Sequence, residues 1–244
     1  MNELPGTDQL FEALEATWAP HAVHPVGDFR LREGRGGGQR VSSATLAHAA
    51  TKPDLRSVEA TALAMKNLGQ TPLFQITPDD DDLDHMLRNL GYTISDPTVI
   101  FTAPAKEIAA QRLPGLSVIE GALALELMAE LWASGGIGPD RLAVMDRVRA
   151  PKAYLLLRHD NQGAGCAFVA AHNGIAMLHA LEVSPTARRH GLGRAATAFA
   201  GSFVLEHGAD WLALATVREN RPACALYESM GFRITTEYHY RRAP

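Results

Sequence analysis

Cysteine is scarce in this sequence, which excludes folds held together by disulfides or by zinc–thiolate sites. Only Cys166 and Cys224 occur among 244 residues, too few for a disulfide framework and without the CxxC spacing of zinc ligands. We expect both thiols to pack as small core side chains. A nucleophilic role for Cys224 stays open, because thiolates attack thioesters well.

An excess of positive charge and long apolar runs are lacking too. The formal net charge is −4 and the sequence pI is about 6.2, so no basic field favours DNA or RNA as a partner. No apolar run approaches the roughly 20 residues that span a bilayer, and residues 1–5 lack the basic and apolar parts of a secretory signal. We therefore expect a cytoplasmic protein with neither a nucleic-acid nor a membrane partner.

What the sequence does contain is a mixed pattern of strands and helices. Hydrophobic residues make up 46% of the chain, enough for one large or two small globular domains. A Pro- and Gly-containing segment at 111–116 is the candidate linker. After it we predict strands at 116–120, 153–158, 164–171, 176–183, 211–217 and 232–240, and helices at 122–132, 139–148, 191–207 and 221–230. This order indicates a mixed α/β domain.

The first half of the chain contains a weak copy of the second. Residues 87–94 and 227–234 share a helix end, a glycine, an aromatic residue and an isoleucine. Before them, a strand at 73–76 and a helix from Asp81 parallel the last strand–helix pair, and a strand at 41–46 with a helix from Leu55 parallels the pair before that. Three matches in one order predict two tandem domains, a reduced one at 1–110 and a complete one at 116–244.

The strongest local signal lies between a predicted strand and a predicted helix, at residues 183–195. A helix start presents backbone amides without internal partners, and Gly191 and Gly193 remove the side chains that would keep a phosphate away from them. Arg188, Arg189 and Arg194 add positive charge. We predict a pyrophosphate site here rather than a plain turn with solvated arginines.

The same glycines also satisfy the GxGxx[GA] pattern of dinucleotide-binding proteins. In such proteins the first glycine closely follows the strand, whereas a seven-residue spacer, 184–190, precedes Gly191 here. Too little chain follows Gly191 for the rest of a Rossmann half. A nicotinamide or flavin cofactor is therefore disfavoured.

A second group of residues lies on one face of the last predicted helix. Asn220, Ala223 and Tyr227 are spaced i, i+3 and i+7. Ala223 leaves room for a ligand chain, Asn220 can bond an amide, and the Tyr227 hydroxyl can protonate a departing thiolate. A half-buried structural aromatic is the alternative for Tyr227, and the spacing alone does not decide between them.

These two groups together resemble the acetyl-CoA motifs of the GNAT N-acetyltransferases. The pattern V-x-P-x-x-R-x-x-G-x-G at 183–193 and N-x-x-A-x-x-L-Y-x-x-x-G-F at 220–232 carries the resemblance. It implies a GNAT fold, a mixed twisted sheet flanked by helices, in which the strands ending at Val183 and Val217 part to admit pantetheine. The cofactor-binding residues that it implies are Leu181, Glu182, Val183, Arg188, Arg189, His190, Gly191, Leu192, Gly193, Arg194, Asn220, Ala223 and Tyr227.

The resemblance further implies acetyl transfer from acetyl-CoA to an amine in a ternary complex, with Tyr227 as general acid. For the general base, period-two alternation places His179 on the side of Leu181 and Val183, and Glu182 on the other side unless a bulge rotates it. A similar strand in the arylalkylamine acetyltransferases carries a histidine. The catalytic glutamate of the ribosomal-protein acetyltransferases is replaced by Ala215. His179, Glu182 and water remain the candidates.

The first half lacks the corresponding chemistry, because no glycine pair precedes its helix and Leu87 replaces the tyrosine. We expect it to cover the acceptor side of the cleft. Its glycine-rich segment at 34–38 is expected to be a flexible hairpin, and the acidic run at 79–84 a helix start rather than a metal site.

The acceptor is expected to be an amine of a small molecule or of a protein, and the protein a monomer or homodimer without a metal. The loop at 134–139 and the next helix, with Arg141, Asp146 and Arg147, are expected to border the acceptor site. A non-catalytic acyl-CoA-binding sensor is the competing hypothesis.

Overall fold

The structure is a computed structural model that describes residues 3–48 and 51–244. Met1 and Asn2 belong to the segment at 1–5 in which no secretory signal is predicted, and they lie outside the described residues. Eight α-helices are described within these ranges: α1 (Thr7–Thr17), α2 (Leu55–Asn67), α3 (Asp81–Asn89), α4 (Ala105–Ala109), α5 (Glu126–Ser134), α6 (Pro139–Arg147), α7 (Leu192–Glu206) and α8 (Arg221–Ser229).

The strands of the described chain number eleven. They are β1 (Ala22–Val26), β2 (Phe29–Glu33), β3 (Ala44–Leu46), β4 (Leu73–Ile76), β5 (Thr93–Pro104), β6 (Ser117–Gly121), β7 (Lys152–His159), β8 (Gln162–His172), β9 (Ile175–Val183), β10 (Trp211–Val217) and β11 (Arg233–Arg242). The predicted elements are present. The main shifts are α5, which begins at Glu126 rather than at 122, and the strand predicted at 41–46, of which only Ala44–Leu46 forms because a 3₁₀ turn at Gln39–Val41 precedes it.

The chain forms two compact units that are not consecutive in sequence. Unit 1 combines the segment through Ala19 with Ile100–Thr216 and Asn220–Thr235, and unit 2 holds the remaining residues. Unit boundaries fall inside β5, β10 and β11, so each of these strands gives residues to both units. The domain division at 110–116 stays a prediction, and the compact units interleave the two predicted segments.

Unit 1 contains a mixed sheet with helices on both faces. Its strands run in the order β10-β9-β8-β7-β6, with β9 and β10 parallel and the other neighbours antiparallel. Helix α7 packs over an apolar cluster that includes Leu157 and Leu192, while α1 and α5 pack on β8 and β9. The predicted α/β architecture is thereby confirmed.

Unit 2 repeats part of this arrangement. Strands β3 and β4 are parallel, as β9 and β10 are in unit 1. Helices α3 and α8 end alike: the amide of Tyr92 donates to the Leu87 carbonyl at 3.0 Å, and that of Phe232 to the Tyr227 carbonyl at 3.1 Å. The difference lies at the start of α2, where the Asp54 carboxylate caps the Ser57 amide at 2.6 Å and thereby occupies the helix start with a protein anion.

A paired carboxylate in unit 2 gives a stability prediction. Both oxygens of Asp84 accept from the Arg241 guanidinium at 2.7 Å, and the His239 ring lies at 2.8 Å. The hydrogen bond from Arg241 and, secondarily, that from His239 lower the pKa of Asp84 to about 2. Because the folded-state pKa lies below the unfolded one, the stabilisation is present above about pH 4 and is lost as the pH falls toward 2.

Asp84→Asn is therefore expected to lower the free energy of unfolding by about 2 kcal/mol at pH 7. The Arg241 side chain, 6% exposed, would lose its charged partner. Urea unfolding of the wild type and the variant should show this difference shrinking as the pH falls toward 2. Asp82→Asn, at an exposed position on the same helix, is the control, and an equal loss in both variants would contradict the assignment.

Candidate functional site

Strands β9 and β10 part within unit 1. Their parallel pairing extends from Trp211 opposite Ile175 to Ala213 opposite Met177. Further along, β9 is paired with β8 as far as Val183 opposite Gly165, and among the described residues no pairing with β10 continues. The backbone of β9 is therefore open on its β10 side over residues 178–183. The resemblance to the GNAT motifs implies such a parting of the two strands.

A bulge interrupts β9 within this open stretch. His179 lies opposite Phe168 and Glu182 opposite Cys166, so one extra residue is inserted in β9, and Ala180 has a left-handed φ of 48°. The indole of Trp132 donates to the Ala180 carbonyl at 2.7 Å. In a trans peptide the carbonyl and the amide N–H point in opposite directions. The amide of Leu181 therefore points away from Trp132 and its helix, α5.

The bulge overturns the predicted faces of β9. Across an antiparallel pair, opposite residues share a face, and Cys166 and Phe168 lie on one face of β8. His179 and Glu182 therefore lie together on the side of α5, whereas Leu181 and Val183 pack toward the α7 cluster. The prediction that His179 shares the side of Leu181 and Val183 is wrong, because strict alternation does not hold across an inserted residue.

His179 is a buried, hydrogen-bonded group, 5% exposed. The hydroxyl of Thr17 donates to the Ala13 carbonyl at 2.6 Å, so its oxygen accepts from the His179 Nε2–H at 2.9 Å. The rings of Trp18 and Phe168 lie 5.1 and 6.2 Å from the imidazole. This environment is that of a satisfied core histidine.

Glu182 is more accessible, with 21% of its side chain exposed. A Cβ atom built at Gly135 would lie 2.5 Å from its carboxyl carbon, so the carboxylate lies against the loop between α5 and α6. On the other side, the Arg188 guanidinium lies 3.4 Å from Oε1. Burial chiefly, and the Glu182 charge in addition, raise the pKa of the Cys166 thiol, which is buried as predicted for a core cysteine.

The loop before α7 has the geometry of an anion cradle. A short 3₁₀ turn, Pro185–Ala187, leads into left-handed conformations at Arg189 (φ 68°) and Gly191 (φ 83°). The first helical hydrogen bond is donated by the amide of Ala195 to the Gly191 carbonyl at 2.9 Å. In the described part of the chain, the amides of residues 189–194 have no backbone partner, which leaves them open to an anion.

Glycine at position 193 leaves room for the neighbouring helix α8. A Cβ atom there would lie 3.0 Å from Cδ2 of Leu226 on α8. The side chains of Arg188, Arg189 and His190 are exposed beside the loop. Arg194 is engaged elsewhere: it donates to Gln111 Oε1 and Ser229 Oγ, both at 2.7 Å, and so fixes α7 to the end of α8.

Helix α8 presents Tyr227 from a packed aromatic setting. The ring lies 5.9 Å from that of Phe101 and 5.8 Å from that of Phe232, and burial raises the pKa of its hydroxyl. The Tyr227 side chain is thus largely enclosed, with 6% of the residue exposed. Asn220 caps α8, since its Oδ1 accepts from the Ala223 amide at 3.3 Å.

Residues expected to border the acceptor site are partly used by the fold. The carboxylate of Asp146 accepts from the Tyr154 hydroxyl at 2.6 Å, and Arg147 donates to the Ala19 carbonyl at 3.4 Å. Arg141 is exposed. No helix of the described chain is long and apolar enough to cross a membrane, and its acidic, histidine and cysteine side chains form no group of three suited to a metal.

Sequence reasoning missed two contacts that shape this site. Trp132 supports the bulge from 48 residues away, and α1 supplies Thr17 to His179 across 162 residues. Neither pair is signalled by local spacing. The apolar stripe of α1 indicates only that this helix packs on some surface.

Comparison with known proteins finds similarity to one family over part of the chain. Residues 125–232 match the model of the Acetyltransferase (GNAT) family. Among solved structures, a GCN5-related N-acetyltransferase from Kribbella flavida has a TM-score of 0.73 at 18% identity, over 96% of this chain and 94% of that one. A functionally unknown conserved protein from Staphylococcus epidermidis has a TM-score of 0.71 at 11% identity, over 94% of this chain and 95% of that one.

A tandem member is also similar. A tandem GNAT protein from the clavulanic acid biosynthesis pathway has a TM-score of 0.64 at 16% identity, over 96% of this chain and 87% of that one. No curated protein matches by sequence. At these identities the likenesses concern the fold, and they confirm the α/β GNAT fold that the motifs predict.

Proposed function

We propose that the chain transfers an acetyl group from acetyl-CoA to an amine, since residues 125–232 match the model of the Acetyltransferase (GNAT) family. The observation that carries this proposal is the open β9 edge leading to the unpaired amides at the start of α7. An extended ligand with a pyrophosphate at one end and a thioester at the other fits that order of groups. Acetyl-CoA supplies the activated acetyl group.

The cofactor would be held mainly by backbone. The unpaired amides of residues 189–194 and the exposed side chains of Arg188 and Arg189 would bind the pyrophosphate. The Leu181 amide, which points away from Trp132, would donate to the thioester oxygen. Ala223, half-buried on α8, leaves room for the pantetheine chain, and His190, Leu192, Gly193 and Asn220 complete the set that we propose.

The acid in our proposal is Tyr227. When the amine attacks the carbonyl carbon, the C–S bond breaks and the sulfur of CoA leaves as a thiolate that needs a proton. Burial raises the pKa of Tyr227, so its hydroxyl remains protonated at neutral pH and can donate.

For the base, the bulge favours Glu182 over His179. The Glu182 carboxylate is partly exposed and lies against the α5–α6 loop, which we expect to border the acceptor. His179 is 5% exposed and its Nε2–H is donated to Thr17. We propose that Glu182 takes the proton of the ammonium group, directly or through water, and that His179 packs the strand.

Glu182→Gln is accordingly expected to lower kcat/KM for the amine about 100-fold. Glutamine keeps the shape beside Gly135 but cannot accept the proton. The measurement is the initial rate of thiol release at saturating acetyl-CoA and at amine concentrations well below KM, where the rate is proportional to kcat/KM. Glu228→Gln, which removes an exposed carboxylate on α8, is the control, and equal rates in both variants would remove Glu182 from the chemistry.

Thiol release across a panel of small amines and N-terminal or lysine peptides tests the proposed function itself. Transfer to at least one acceptor, confirmed by the mass of the acetylated product, is expected. Acetyl-CoA binding without transfer to any of them would favour the competing function, an acyl-CoA sensor. The described residues select neither small-molecule nor protein amines, so both stay in the panel.

A further inference from the structure

Arg188 occupies two groups that the proposed reaction needs. Its Nε donates to the Val183 carbonyl at 3.1 Å, and its terminal nitrogen lies 3.4 Å from Glu182 Oε1. Val183 ends the open edge of β9, along which pantetheine would run, and Glu182 is the proposed base. One side chain from the cradle loop therefore covers both the end of the cofactor path and the carboxylate.

These contacts are weak enough to be exchanged. The Arg188 side chain is 59% exposed, and ion pairs of such side chains contribute little because water competes for both charges. A pyrophosphate offers several charged oxygens to a guanidinium, with the option of paired hydrogen bonds. A phosphate bound at the α7 start would draw Arg188 away from Glu182.

We propose that Arg188 is a positioning residue that exchanges Glu182 for the pyrophosphate of the cofactor. Cofactor binding thereby frees the carboxylate, which then receives the ammonium group of a cationic acceptor. This inference rests on the proposed function. Coupling between two sites is reciprocal. The factor by which bound cofactor weakens the pair of Arg188 and Glu182 therefore equals the factor by which that pair weakens cofactor binding.

A double-mutant cycle on CoA binding tests this inference by calorimetry, without any activity measurement. The proteins are the wild type, Glu182→Gln, Arg188→Gln and the double variant. With Arg188 present, Glu182→Gln is expected to tighten CoA binding about two- to fivefold, since the competing pair is lost. With Arg188→Gln as the background, the same change should leave the CoA affinity unaltered.

The control is Glu206→Gln, which removes one exposed carboxylate at the far end of α7 and should not change CoA affinity. An equal gain from Glu182→Gln in both backgrounds would show only long-range repulsion and would overturn the exchange. No gain in either background would overturn it as well. Failure of the wild type to bind CoA would refute the proposed function and this inference together. Binding of CoA by the wild type without the expected effect of Glu182→Gln would overturn the exchange alone.

Discussion

Tyr227→Phe is expected to lower kcat about 100-fold and to leave the KM for acetyl-CoA nearly unchanged. The ring contacts with Phe101 and Phe232 involve the aromatic faces and edges, which phenylalanine retains. The variant lacks only the hydroxyl, so the packing of the ring against both neighbours is expected to persist. A fall in kcat alone would identify an interaction made in the transition state.

The pH dependence of the same pair gives a second readout. Since burial raises the pKa of Tyr227, the neutral hydroxyl persists into the alkaline range, and wild-type kcat should persist with it. Any alkaline decline that reports the loss of this proton should be missing from the phenylalanine variant. Tyr92→Phe, in unit 2, is the control. Equal kcat values for the wild type and Tyr227→Phe would remove this tyrosine from the mechanism.

Gly193→Val is expected to weaken acetyl-CoA binding about 100-fold, the loss of roughly 2.7 kcal/mol. A side chain at this position would project from the first turn of α7, the helix start at which we propose that the pyrophosphate binds. Its Cβ would also meet Leu226 at 3.0 Å, so a packing effect must be separated from an effect on the cradle. Calorimetric titration with acetyl-CoA measures the change.

The double variant Gly193→Val/Leu226→Ala makes that separation. Truncating Leu226 relieves the contact with the new valine side chain. The valine itself remains in the first turn of α7. We expect thermal stability to recover while acetyl-CoA binding stays weak. Recovery of binding in the double variant would mean that the glycine serves packing rather than the phosphate.

The backbone of the loop before α7 could be predicted from sequence because it is local. The glycines, the arginines and the strand-to-helix change all lie within residues 183–195, and the structure forms α7 from Leu192 with Gly191 at φ 83°. The i, i+3, i+7 spacing that joins Asn220 to Tyr227 is local in the same sense. Period and spacing carry enough information when the partners belong to one element.

The faces of β9 could not be predicted, because they depend on an irregularity without a sequence signal. Ala180 adopts a positive φ although it is not glycine, and a distant indole, that of Trp132, holds its carbonyl. The interleaved units escape local patterns for a related reason: the unit boundaries inside β5, β10 and β11 follow from tertiary contacts. A pattern read residue by residue assumes regular strands and contacts between neighbours in sequence.

Equilibrium binding of acetyl-CoA to the purified protein, measured by titration calorimetry, tests most directly whether this chain uses acetyl-CoA. Saturable binding at one site is expected, with a dissociation constant between about 1 μM and 1 mM, the range of typical enzyme KM values. Inorganic phosphate at the same concentration is expected not to displace bound acetyl-CoA. No binding heat at millimolar acetyl-CoA, from a protein shown to be folded, would contradict the proposed use of acetyl-CoA.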